Sequence, residues 1–288
     1  ACIEAWRTDL EGASDPLLLP LARRKVAQES HAGAVLTTPL EPSLVAALEA
    51  RACADGTTVG ATMLAAYQVL LGRWSGREDF LVGVPVAGRG DPAARDLIGY
   101  FVNTLPVPAR LGASTGFREL ATRAHAGIRA AKDRQDVPLS ALVEALEPDR
   151  GLSRSALFQT FFQVRRGVED PPALTGLETE WTCLDPGGAI MDLALQVDLD
   201  RGGARVSLDY ATDLIDADAA EELSWQYLHI LRYVAARRDP PWRRIQLLDE
   251  AGRRRALAAG RGRRSPYPRD RTLGELVSEQ AAIRPDAP

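Results

Sequence analysis

The residues best placed to do chemistry sit in one short run, Leu97-Ile98-Gly99-Tyr100-Phe101-Val102-Asn103-Thr104-Leu105-Pro106-Val107-Pro108-Ala109-Arg110, where a single polar pair, Asn103-Thr104, interrupts apolar neighbours. A carboxamide in such surroundings needs its donors and acceptor satisfied, because a buried orphan costs about 1–3 kcal/mol. Asn103 is therefore either a clamp on nearby backbone or a contact for a ligand, and both roles are compatible with the sequence. Phe101, Val102 and Thr104 favour extended backbone. Pro106 and Pro108 lack an N–H and cannot donate within a central ladder. A loop feeding a strand follows, with Asn103 at the strand's mouth.

The other reactive side chains are scattered. His31, His125 and His229 are far apart in sequence, and no two are adjacent. A lone helical histidine such as His125, with no carboxylate near it in sequence, is read as structural. Cys2, Cys53 and Cys183 form no CxxC and stand near no histidine pair, so they read as incidental thiols of a reducing cytosol, and no metal site is expected. Asp192 falls within an apolar stretch and needs a backbone or arginine partner. Arg89 lies between Gly88 and Gly90 in a turn that lacks the GxxxxGK[ST] phosphate-loop pattern, and is read as a structural or solvated cation.

Charge and hydropathy narrow the function classes. A formal net charge of −4 over 288 residues gives no reason to expect nucleic acid or an anionic membrane as partner. No apolar run is long enough to span a bilayer and no signal peptide is evident, so a cytoplasmic location is expected.

The elements that must position these residues alternate between helical and extended patterns. Strands are expected at residues 34–38, 80–85, 157–164, 177–184, 191–198 and 205–210. Helices are expected at 41–55, at 59–72 with Thr58 as cap, at 116–135 with Thr115 as cap, and from Pro138 to about 146. A further long helix runs to about 237, opened by an Asp218–Glu221 capping box and stopped by Asp239-Pro240-Pro241. Residues 260–268 form a Gly-, Arg-, Ser- and Pro-rich linker. Thr272 with Glu275 then opens a last helix to about 284.

Residues 98–104 resemble the fifth core motif, (I/V)-G-x-F-V-N-T, of the condensation domains of nonribosomal peptide synthetases, with Gly99, Asn103 and Thr104 in place. Residues 58–89 resemble another signature of that family, which ends in Arg89. Gln135, Asp136, Val137 and Pro138 match its sixth motif, (H/N)-Q-D-(Y/V)-P-F-E, from which Arg134, Leu139 and Ser140 depart. Arg150, Ser153, Arg154 and Leu157 match its seventh, R-D-x-S-R-N-P-L, from which Gly151, Ser155 and Ala156 depart. Met191-Asp192-Leu193 resembles a family F-D-L, and residues 272–286 resemble the first helix of an adenylation domain.

The resemblance implies an α/β fold of the chloramphenicol acetyltransferase type, here one lobe, with a mixed sheet and helices on one face. It divides the chain into a C-terminal lobe (1–259), an inter-domain linker (260–271) and the start of an adenylation domain (272–288). It implies that Asn103, Thr104, Gly99, Arg89, Gln135, Asp136, Ser153, Arg154 and Asp192 line a substrate tunnel or support it. Condensation domains join acyl chains tethered to phosphopantetheine arms, and in the family the central residue is the second histidine of H-H-x-x-x-D-G. This chain has no His-His pair, so no residue inherits a catalytic role. The expected partners are the N-terminal lobe, peptidyl carrier domains that bring the phosphopantetheine, and a downstream adenylation domain, with no cofactor bound directly. Two other readings compete: a non-catalytic relative that recruits partner enzymes, and a freestanding acyltransferase, which the adenylation-like tail disfavours.

Overall fold

Six segments in which every second residue is apolar build one mixed sheet, and the computed structural model shows how their buried faces are covered. It describes residues 2–13, 17, 19, 30–90, 92–94, 96–146, 157–167, 174–179, 187–200, 203–236, 238–262 and 268–285. In chain order the elements are α1 (Cys2–Leu10), β1 (Gly33–Leu40), α2 (Pro42–Ala54), α3 (Val59–Ser75), β2 (Asp79–Val86), β3 (Asn103–Arg110), α4 (Phe117–Lys132), α5 (Leu139–Leu146), β4 (Thr160–Arg166), β5 (Leu193–Asp200), β6 (Gly203–Ala211), α6 (Ala217–Ala235), α7 (Glu250–Ala259) and α8 (Leu273–Ile283). The chain divides into two compact units, Ala1–Leu247 and Leu248–Pro288. That division falls ahead of the linker expected at 260–271.

In the first unit the strand order is β1-β6-β5-β4-β2-β3. β4 runs parallel to both β2 and β5, and the other pairings are antiparallel. One face is apolar in every strand: Val82, Val107, Phe162, Leu195 and Leu208 are all buried. The helical layer α2, α3, α4 and α6 covers that face, as the expected mixed α/β arrangement requires. α3 lies at its centre, buried on every side from Ala61 to Gly72. Gly127 lets α4 approach β3 closely: a Cβ there would stand 3.2 Å from Val107 Cγ1. A smaller pair, α1 and α5, lies on the opposite face at the β3 end, where Leu10, Leu81, Leu146 and Leu157 share a cleft of about 360 Å³.

Most of the expected elements are present, with informative differences at their ends. Thr58 does cap α3, accepting from the Ala61 N–H at 3.2 Å. Thr115 does not cap α4. The cap is Gly116, and the acceptor comes from Asp239, whose Oδ1 takes the Arg118 N–H at 2.8 Å. α6 starts two residues earlier than its expected box: Asp216, not Asp218, accepts the Ala219 N–H at 2.9 Å. Asp218 instead sits in the first turn, where its charge complements the helix dipole. β4 begins at Thr160 rather than at 157, and β5 at Leu193 rather than 191. Residues 177–179 are not strand, and the rest of that expected strand lies outside the described residues.

In the second unit, α8 opens on the expected capping box. The Thr272 N–H donates to Glu275 Oε2 at 2.7 Å and the Glu275 N–H to Thr272 Oγ1 at 3.3 Å. Among the described residues no helix is long and apolar enough to cross a membrane, and no group of three or more His, Cys, Asp or Glu could hold a metal ion.

Candidate functional site

β3 is an edge strand. Alternate residues of an edge strand take no part in the ladder, which explains how Pro106 and Pro108 are accommodated there. Asn103, its first residue, pairs with Val86 at the carboxyl end of β2. There the chain between α4 and α5 passes around the sheet's edge, and the Asn103 side chain holds it. Asn103 Nδ2 donates to the carbonyls of Gln135 and Val137, both at 2.9 Å. The Leu139 N–H donates to Asn103 Oδ1 at 3.3 Å. Of the two roles open to Asn103, the geometry displays the backbone clamp. Thr104 follows, opposite Pro85.

The loop joining β2 to β3 is shaped by Arg89. Its guanidinium donates to the carbonyls of Ala94, Leu97 (2.8 Å) and Gly99 (3.3 Å), and lies 4.5 Å from the centre of the Phe101 ring. Gly88 makes this possible: its φ is +64° and a Cβ would run into the Phe101 carbonyl. Gln135 completes the cluster, with Nε2 3.1 Å from where a Cβ of Gly90 would stand. Asp136 is exposed beside it. Arg134, the first departure from the sixth motif, points to α1: its Nη1 donates to Asp9 Oδ2 at 2.5 Å and its guanidinium sits 5.3 Å from the Trp6 ring.

The structure thus gathers Arg89, Gly99, Asn103, Thr104 and Gln135 at one end of the sheet. It does not bring Asp192 to them. Asp192 precedes β5, which is parallel to β4 and so to β2, and therefore lies at the opposite end, where its carbonyl accepts from the Ala211 N–H at 3.1 Å. Ser153 and Arg154 lie outside the described residues. No two histidines share an element: His125 is on α4, His31 precedes β1, and His229 on α6 stacks on Trp225 at 5.2 Å. The buried hydroxyls of Tyr67 and Thr160 bond to each other. Burial pushes both the Tyr67 and Tyr227 phenols well above their ordinary value, so neither serves as a base near neutrality.

A buried carboxylate escaped the sequence reading. Asp198, on β5, is 1% exposed. Arg165 on β4 and Arg205 on β6 are its register partners. Arg165 donates Nε to Oδ1 at 2.7 Å and Nη2 to Oδ2 at 3.0 Å, and Arg205 Nη2 stands 3.0 Å from Oδ2. Burial alone would raise this carboxyl. The hydrogen bonds and charge of Arg165, the charge of Arg205 and the Gln196 amide outweigh it and hold the carboxyl below its ordinary value. The folded form therefore keeps the carboxylate to lower pH than the unfolded chain, whose aspartates titrate near about 4. Its contribution is present above that value and is lost as pH falls through the folded value. Asp198→Asn is expected to cost about 2 kcal/mol at neutral pH. It is also expected to flatten the acid limb of stability against pH, read from urea midpoints at neutral pH and below about pH 4.

With this geometry in view, comparison with known proteins is decisive. The Condensation domain family model matches residues 4–257. The chain belongs to the condensation-domain family. Tyrocidine synthase 3 of Brevibacillus parabrevis is 32% identical over 281 residues, covering 98% of this chain and 4% of that protein. The phosphinothricin tripeptide synthetase PhsB of Streptomyces viridochromogenes is 32% identical over 295 residues, covering 99% and 24%. The chain thus spans a small fraction of the synthetases it matches. Among solved structures, the complex of the X-domain and OxyB from teicoplanin biosynthesis superposes with a TM-score of 0.78 at 27% identity, covering 86% of this chain and 55% of that one. A four-domain nonribosomal peptide synthetase bound to AMP and glycine superposes at 0.80 with 22% identity, covering 99% and 23%, and shares the fold.

Proposed function

We propose that this chain is the C-terminal lobe of a nonribosomal peptide synthetase condensation domain, followed by the linker and opening helix of an adenylation domain. In the intact synthetase it forms one wall of a tunnel in which the amine of one carrier-tethered acyl group attacks the thioester of another. One observation carries this reading: the condensation family model runs along residues 4–257, yet 86% of the chain accounts for just 55% of a single X-domain chain. A chain that resembles about half of a family member, and has no paired histidines, supplies scaffold while the reactive imidazole comes from the other lobe.

The chemistry asked of such a wall is orientation. Attack of an amine on a thioester needs the two held in line, a proton acceptor, and donors for the developing oxyanion. Arg89 and Asn103 fix the backbone of the loop and turn at one end of the sheet, and a fixed backbone is what holds tethered substrates in register. Phosphopantetheine arrives here as part of the substrate, carried by partner domains.

The test compares two preparations given aminoacyl- and peptidyl-loaded carrier domains. The 288-residue chain alone is expected to form no peptide, and the full synthetase is expected to form it. Turnover by the chain alone would overturn the reading.

The likeness to X-domains also supports a second reading, recruitment of a separate protein without peptide-bond formation: two X-domain structures are 27% and 29% identical to this chain. A full synthetase that forms no peptide across this domain, yet retains a partner enzyme, would favour it.

A further inference from the structure

Arg134 joins two parts of the first unit that the proposed role leaves unconnected. It sits in the turn between α4 and α5, and its side chain leaves that turn for α1. There Nη1 donates to Asp9 Oδ2 at 2.5 Å, and the guanidinium lies 5.3 Å from the centre of the Trp6 ring. Arginine suits such a place, since its planar cation stacks on an aromatic face while its N–H groups reach a carboxylate. The side chain is 22% exposed, so water screens the pair only in part.

α1 is a fixed reference. Trp6 and Leu10 are buried and belong to the main core. Arg110, the last residue of β3, donates from Nη2 to the carbonyls of Asp9 at 2.8 Å and Glu11 at 3.4 Å. Arg7 donates to the Ala145 carbonyl of α5 at 3.2 Å. The turn has less of its own. Asp133, Asp136 and Pro138 are exposed. The local bonds from the Gln135 and Val137 N–H groups span 3.2 and 3.3 Å, at the long end of the usual range. Two side chains supplement them. Asn103 grips the carbonyls of Gln135 and Val137 and the Leu139 N–H, and Arg134 ties the turn to α1.

We infer that Arg134 is a positioning residue. By fixing the turn to α1 it sets the carbonyls on which Asn103 closes. Through Gln135, which abuts Gly90, it also sets the start of the loop that Arg89 shapes. Arg134 thus passes the placement of α1 to the site end of the sheet, acting through Asn103 and Gln135. Its effect on peptide formation rests on the condensation reading above. Its hold on the turn stands on the contacts alone.

Native-state amide hydrogen exchange of the 288-residue chain tests the hold. Arg134→Gln removes the cation, and the amides of Gln135, Val137 and Leu139 are expected to exchange about tenfold faster or more. Arg134→Glu combined with Asp9→Arg reverses the ion pair and is expected to bring them back within about threefold of the unaltered chain. Unchanged exchange at Leu195 and Val197 of β5 establishes that both variants fold. Unchanged exchange in the turn, exchange that quickens in α1 alone, or a turn left fast by the reversed pair overturns the proposal. The full synthetase, given aminoacyl- and peptidyl-loaded carrier domains, supplies a second readout that a merely structural tie would not move. Arg134→Gln is expected to lower kcat for peptide formation about tenfold. The KM for the loaded acceptor is expected to stay within about twofold, and the reversed pair is expected to recover kcat. A raised KM with kcat unchanged, or a lost kcat that the reversed pair does not recover, overturns positioning. If the unaltered synthetase forms no peptide across this domain, the condensation reading fails, and the exchange data still decide whether Arg134 sets the turn.

Discussion

Replacing Arg51 by leucine is expected to destabilise the first unit by about 3–5 kcal/mol, the largest single-site loss anticipated here. Arg51 sits at the end of α2 with its side chain 2% exposed. Its Nε bonds Asp55 Oδ2 at 2.5 Å, and the Asp55 side chain is itself 3% exposed. Nη1 donates to the carbonyls of Val234 at 2.9 Å and Arg238 at 3.2 Å, at the end of α6. Its guanidinium lies 5.5 Å from the centre of the Phe117 ring, and Nη2 is 3.9 Å from Asp239, the residue that accepts the Arg118 N–H at the start of α4. One buried cation thus joins three helices. Leucine would leave the Asp55 carboxylate buried with Arg118 as its remaining cation, and two carbonyls without their donor. Urea unfolding would measure the loss. Leucine at both 51 and 55 is expected to recover part of it, because the stranded charge goes too. A loss below about 1 kcal/mol for Arg51→Leu would show that the network contributes little beyond its desolvation cost.

Asn103→Leu is expected to cost about 3 kcal/mol, since three backbone groups lose their partner at once. The carbonyls of Gln135 and Val137 lose a donor, and the Leu139 N–H loses an acceptor. Asn103→Asp is the sharper probe. A carboxylate keeps the bond from Leu139 but presents negative oxygen to two carbonyls, so a loss of at least the same size is expected. Faster amide hydrogen exchange at residues 135–139 would localise the damage. Normal stability and exchange in both variants, with lost activity in the full synthetase, would move Asn103 from clamp to ligand contact.

The fold was legible where local pattern decides it. A short apolar run marked β2, and Thr58 and the Thr272–Glu275 box marked the starts of α3 and α8. Pro106 and Pro108 implied that β3 is not a central strand. What escaped the sequence is what distant partners decide. Thr115 reads as a cap because it precedes an amphipathic run, but the chain brings Asp239 to that helix from 121 residues away. Nothing local marks Arg51, because its carbonyl acceptors are 183 and 187 residues away. The polar pair and the Gly-Arg-Gly turn that the sequence singles out lie together at one end of the sheet. Asp192 was singled out for an apolar setting, whereas Asp198, six residues on, holds the charge cluster. Strand register placed its two arginines beside it, and register is not written in local periodicity.

Both margins of the sheet carry proline, Pro39 in β1 and Pro106 and Pro108 in β3. An open margin offers its free N–H and C=O groups to any extended polypeptide, and imino acids there deny it donors. Copies of this chain at high concentration are therefore poorly equipped to add to one another strand by strand. Fibril growth seeded from either margin is disfavoured.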